Sequence, residues 1–141
     1  MWLSLLLACG PKGPQPQHLP EIPLVVDGIP VTAEVADSPA ERELGLMHRD
    51  PLQPDHGMVF VYPDEKRRAF WMKNTKIPLS IAYITATGIV VHTAEMTPFN
   101  ETPVPSEFPA MYALEMPKNW FLAHNVTAGD SVTGLPGPAP E

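Results

Sequence analysis

The 141-residue chain has one cysteine, Cys9, so it can form no internal disulfide and no cysteine-paired zinc or redox centre. It has no apolar run near the ~20 residues that a membrane-crossing helix needs. Basic residues are scarce, nine against sixteen acidic ones, for a formal net charge of −7. That balance argues against a general nucleic-acid binder, which needs a basic surface to displace phosphate counterions. The five histidines (His18, His48, His56, His92, His124) have no ligand-like spacing, so no metal site is expected. No nucleophile elbow, Walker A loop or dinucleotide fingerprint occurs, and no cofactor is expected. Proline, by contrast, is abundant: 19 residues, about 13% against a usual ~5%. Because proline has no N–H for helix interiors or central strands, a helical bundle is excluded. A hydrophobic fraction of 44% still supports one core.

The start of the chain reads Leu5-Leu6-Leu7-Ala8-Cys9-Gly10, which resembles a bacterial lipobox. On that reading residues 1–8 are a lipoprotein signal peptide, and the cysteine is acylated and holds the protein on a membrane surface. Only eight residues precede Cys9 and none is Lys or Arg; the competing reading is an incidental cysteine. Residues 9–23 read as a proline-rich tether with a reach of roughly 40 Å. Residues 24–134 read as a single β-rich domain and residues 135–141 as a loose tail. The expected location is the bacterial cell envelope, with the domain facing the periplasm or the exterior and lipidated Cys9 as the contact with the membrane.

Within the domain, Asp27-Gly28 between two apolar alternating runs predicts a β-hairpin. Ser38-Pro39-Ala40-Glu41 is a capping-box pattern and predicts a helix over residues 39–47. Short strands are predicted at 58–62, 69–72, 79–85, 89–94, 111–116 and 131–133, with a charged turn at 64–67, an irregular loop at 98–109 and one helical turn at 120–124. The fold class is mostly β: a compact antiparallel sandwich or barrel-like domain with one short helix.

Several strings are long and unusual: Glu41-Arg42-Glu43-Leu44-Gly45-Leu46-Met47-His48-Arg49, Gly57-Met58-Val59-Phe60, Phe70-Trp71-Met72-Lys73-Asn74-Thr75-Lys76, Ala113-Leu114-Glu115-Met116 and Ala128-Gly129-Asp130. Together they resemble the family known as domain of unknown function 192. The resemblance implies a small, mostly β domain, often exported and often a lipoprotein, with no activity to carry over. Two departures stand out: Ser80 where relatives usually have aspartate, and Asn119 where they usually have glycine.

The Phe70–Lys76 string is the first candidate site. Strand alternation puts Trp71 and Lys73 on one face and Phe70 and Met72 on the other. Trp71, Lys73, Asn74 and Thr75 could bind a small anionic or glycan ligand by stacking and hydrogen bonding. Alternatively Trp71 fills the core while Asn74 and Thr75 shape a turn. In the helix, Arg42 and Arg49 are seven apart and either clamp an anion or pair locally. Glu115 interrupts an apolar strand and is read either as the buried partner of an arginine or as a perturbed acid-base group; Glu41 is the other acidic candidate. The favoured function is a non-enzymatic ligand-binding or accessory module. The alternative is a small metal-independent hydrolase or transferase using Glu115 or Glu41 with Arg42 or Arg49.

Overall fold

A computed structural model describes residues 13–141; residues 1–8, expected to be a signal peptide, and Cys9 lie outside the described residues. In chain order the elements are β1 (Glu21–Val26), β2 (Ile29–Ala36), α1 (Pro39–Leu44), β3 (His56–Lys66), β4 (Ala69–Phe70), β5 (Leu79–Ile84), β6 (Val90–Met96), β7 (Val104–Pro105), β8 (Ala110–Pro117), α2 (Trp120–Ala123) and β9 (Val132–Thr133). Asp27 and Gly28 both take positive φ, 47° and 80°, and fold β1 back on β2 with Val26 opposite Ile29. On its other edge β2 pairs with β3 in parallel, from Thr32 opposite His56 to Ala36 opposite Phe60. Pro30 lies ahead of that pairing, so its missing N–H costs no ladder bond.

A parallel pair needs a crossover, and α1 lies in it. Its capping box is reciprocal: the Glu41 N–H donates to the Ser38 hydroxyl at 3.2 Å and the Ser38 N–H donates to the Glu41 carboxylate at 3.0 Å. The helix stops at Leu44, short of the expected Met47, because Gly45 turns the chain at φ 47° and ψ −129°. A side chain at Gly45 would press on the Phe60 ring, 3.2 Å from the position of its Cβ.

The seven-stranded sheet has the order β6-β5-β8-β3-β2-β1-β9. All its pairs are antiparallel except β2–β3, which corrects the expectation of a purely antiparallel sheet. The sheet curls until its edges meet: Ile89 bridges Ser131, and the Val132 N–H donates to the Gly88 carbonyl at 2.7 Å. The domain is therefore mostly β and barrel-like. β4 and β7 form a separate small ladder.

The central strands are buried on both faces, which explains their nearly unbroken apolar runs. Val59 and Val61, Ala82 and Ile84, Leu114 and Met116 pack with Leu24, Val26, Trp120 and Phe121. From the opposite face Met58 and Phe60, Ile81 and Tyr83, and Ala113 pack with Leu46, Met72 and Ile77. Three local expectations change. Residues 64–66 continue β3 past an irregularity in its register with β8. Only Ala69 and Phe70 of the predicted 69–72 strand are paired, and the 98–109 loop carries β7.

The proline-rich ends are also more structured than their composition suggests. The Gln17 side-chain amide donates to the Glu41 and Gly45 carbonyls at 2.8 and 3.0 Å, and the Val35 N–H donates to the Pro20 carbonyl at 3.0 Å. At the other end Ala139 is buried and donates its N–H to the Tyr62 carbonyl at 3.2 Å, while the Tyr112 hydroxyl donates to the Pro136 carbonyl. Proline lays down apolar surface without an N–H to satisfy, so a proline-rich strip can lie on a sheet outside its ladders.

Candidate functional site

The turn that ends α1 faces β4 across a cleft of about 130 Å³. Arg42, Gly45 and Leu46 form one wall and Ala69 to Trp71 the other, with Phe60, Tyr62, Thr75 and Glu115 between them. The absent side chain at Gly45 lets the α1 turn sit directly on Phe60. Phe70 packs edge-on against Phe60 at 4.8 Å between ring centroids and against Tyr62 at 6.5 Å. Two guanidinium groups lie over the Tyr62 ring, Arg68 at 3.5 Å and Arg42 at 4.9 Å. Burial raises the Tyr62 phenol above its usual range despite both cations.

Glu115 reaches this cleft from β8, opposite Met58 of β3 and Ile81 of β5. It is 4% exposed, and among the described residues no hydrogen bond or ion pair reaches its carboxyl. Burial pushes it up to about 8, so it is mostly protonated at neutral pH and presents one O–H donor as well as acceptor oxygen.

The arginine expected beside it is committed elsewhere. Arg49 forms a two-pronged pair with Glu34 of β2 at 2.9 and 2.8 Å and also donates to the Gln17 carbonyl at 2.9 Å. Arg42 and Arg49 therefore do not act as one clamp: the helix ends between them, and only Arg42 lines the cleft. Arg42 Nη1 donates to the Asp37 and Val61 carbonyls at 2.9 and 3.0 Å. Its Nε and Nη2 make no hydrogen bond among the described residues.

Glu41 is occupied as the helix cap. Slight burial raises its carboxyl, but hydrogen bonds from Ser38 and Asp37 outweigh that and hold it below the usual range. Trp71 is 46% exposed at the cleft rim rather than in the core, with the Lys73 ammonium 5.2 Å from its ring centroid. Met72 is buried on the opposite side, so the predicted alternation persists beyond the end of β4. Lys73 and Asn74 are exposed and lie outside the cleft lining. Asn74 takes φ 53°, and its carbonyl accepts the His48 N–H at 2.9 Å, which is a turn role. Thr75 is buried in the lining, and its hydroxyl donates to the Lys73 carbonyl at 3.0 Å.

Phe60, Tyr62 and Glu34 were not singled out from sequence, and Phe70 was placed only on the face opposite Trp71, since nothing local tells a cavity wall from filled core. Glu34 carried a signal, a carboxylate in the apolar alternation Val31-Thr32-Ala33-Glu34-Val35, of the same kind that marked Glu115. The departures from the family pattern are also accommodated. Buried Ser80 donates to the Glu95 carboxylate at 2.6 Å, so an acid arrives from the neighbouring strand. Asn119 takes φ 65°, the backbone region that glycine enters most readily.

No curated protein matches the chain. Two solved structures share its fold and about a third of its aligned residues. One, from Sinorhizobium meliloti 1021 and named a candidate transcription regulator, has 31% identity and a TM-score of 0.74 over 79% of this chain and 90% of its own. The other, a protein of unknown function from Novosphingobium aromaticivorans DSM 12444, has 33% identity and a TM-score of 0.73 over 81% and 85%. Residues 23–134 match the model of the DUF192 family, described as uncharacterized ACR, and the chain belongs to that family.

Proposed function

We propose that this chain is a non-enzymatic binding module for a small ligand in the bacterial cell envelope, with the cleft between α1 and β4 as its site. The observation that carries the reading is Glu115. Its carboxyl has no hydrogen-bonding partner among the described residues, and no fully enclosed side-chain oxygen or nitrogen there lacks one, so the Glu115 oxygens open on the cleft. Between the aromatic walls a ligand would take the place of solvent on them. Glu41, one of the two carboxylates open to the alternative acid-base reading, is spent on the helix cap, and the Thr75 hydroxyl is held by a backbone carbonyl. The regulator name of the Sinorhizobium neighbour is not carried over, because a net charge of −7 suits a nucleic-acid partner poorly.

The cleft is tested by thermal-shift measurements on the full chain against small carboxylates, amines and sugars, repeated with Ala69→Trp, which fills the rim. A compound that raises the melting temperature of the native chain but not of the variant supports the reading. Shifts equal in both chains, or none across the panel, overturn it. The envelope part rests on Leu6-Leu7-Ala8-Cys9 alone. Cys9→Ser should move the protein out of the membrane fraction and abolish fatty-acid labelling, and retention in that fraction would refute it.

A further inference from the structure

Resting on the reading of the cleft as a ligand site, we infer that its ligand is a small aromatic carboxylate of hydroxybenzoate size, with its carboxylate on Arg42, its ring among Phe60, Tyr62 and Phe70, and a neutral oxygen on Glu115. Three independent observations converge on that class.

The first is how Arg42 is held. Its Nη1 is tied to two backbone carbonyls and its guanidinium lies over Tyr62, so the group is fixed without a carboxylate partner. Its Nε–Nη2 edge is the two-donor fork that matches a carboxylate. An arginine already immobilised loses little further freedom when an anion docks.

The second is size. The cleft of about 130 Å³ is close to the ~150 Å³ apolar cavity that accommodates benzene. It has room for one six-membered ring. Phe60, Tyr62 and Phe70 suit a planar body that meets their edges and faces.

The third is the chemistry of Glu115. Buried at 4% exposure and without an ion pair among the described residues, the Glu115 carboxyl is mostly protonated at neutral pH, and a protonated acid pairs with a hydroxyl or carbonyl. An ammonium ligand would suit an ionised Glu115, but it would enter a cleft that already holds Arg42, with the Arg68 guanidinium over Tyr62 and Lys73 over the rim indole. Glu43 is the lining group that opposes an anion; it is exposed, where solvent screens it.

The test is calorimetric titration of the full chain with 4-hydroxybenzoate, benzoate, methyl 4-hydroxybenzoate and benzylamine, each repeated with Ala69→Trp. The inference expects 4-hydroxybenzoate to bind best. Benzoate should be a few-fold weaker, the methyl ester at least tenfold weaker, and benzylamine should not bind. Glu115→Gln, which keeps a donor and an acceptor, should bind 4-hydroxybenzoate within a few-fold of the native chain, whereas Glu115→Leu should lose about tenfold. The ester comparison removes the charge without altering the protein, so it stands even if a variant folds poorly. If benzylamine or the ester binds as tightly as the acid and Ala69→Trp blocks it, the ligand class falls while the cleft remains a ligand site. If no probe binds in a way that Ala69→Trp blocks, the inference falls. Failure of the wider thermal-shift panel as well removes the cleft reading.

Discussion

Glu115→Gln offers the sharpest check on the buried carboxyl, through stability rather than binding. The group titrates near 8 in the folded chain against 4.5 for an exposed glutamate. Between those values the folded protein keeps a proton that the unfolded chain has released. Unfolding is then favoured as pH rises, so the native chain has its full stability below about pH 4.5, loses it progressively toward pH 8 and levels off above. At about 1.4 kcal/mol per pH unit, the interval corresponds to about 5 kcal/mol. Glutamine has nearly the same shape and does not titrate. Its buried amide adds a pH-independent cost of about 1–3 kcal/mol, so the variant should be equal to or weaker than the native chain near pH 5 and stronger near pH 8. Urea denaturation at pH 5, 6, 7 and 8 measures this, and subtracting the two curves cancels every other titrating group. The reasoning fails if the difference between native and variant stability is flat to within about 1 kcal/mol across that range.

Two further perturbations probe the frame around the cleft. Arg49→Ala strands the buried Glu34 carboxylate with only the Leu19 N–H as partner, and should cost about 3–5 kcal/mol in urea denaturation; a loss under about 1 kcal/mol would mean that water replaces the guanidinium. Gly57→Ala would place its Cβ 2.2 Å from the Glu115 carbonyl oxygen and 2.5 Å from the Met116 sulfur. Backbone cannot yield as a side-chain end can, so the variant should lose at least about 3 kcal/mol and weaken its near-ultraviolet circular dichroism; an unchanged unfolding midpoint would contradict that packing.

Much of the fold was legible because its signals are local. Asp27-Gly28 marks its own turn, Ser38 and Glu41 mark their own cap, and the strands built around Val59, Ile81 and Leu114 are apolar enough to be seen without partners. The parallel pairing of β2 with β3 was not legible, since register between Thr32 and His56 is set by the sheet and by no residue in between. The end of α1 was missed for a similar reason: Gly45 breaks the helix where Phe60, fifteen residues later, occupies the space of its side chain. Glu115 could be picked out as a carboxylate in an apolar strand. Which arginine it meets is a tertiary question, and the choice fell to Glu34. Trp71 and Lys73 kept their predicted shared face because alternation is a property of extended backbone, whether or not it is hydrogen-bonded into a sheet.

The hydrogen bonds of Gln17 set a leash length. From sequence, the proline-rich segment looked free as far as residue 23, but Gln17 is already fastened to the backbone of the α1 turn and to Arg49. With lipid on Cys9, only the residues before Gln17 would span the gap to the bilayer, and a chain that short reaches at most about 30 Å. The leash also ends on the wall of the cleft itself, so any pull from the membrane would be delivered to the turn that carries Gly45 before it reached the rest of the barrel.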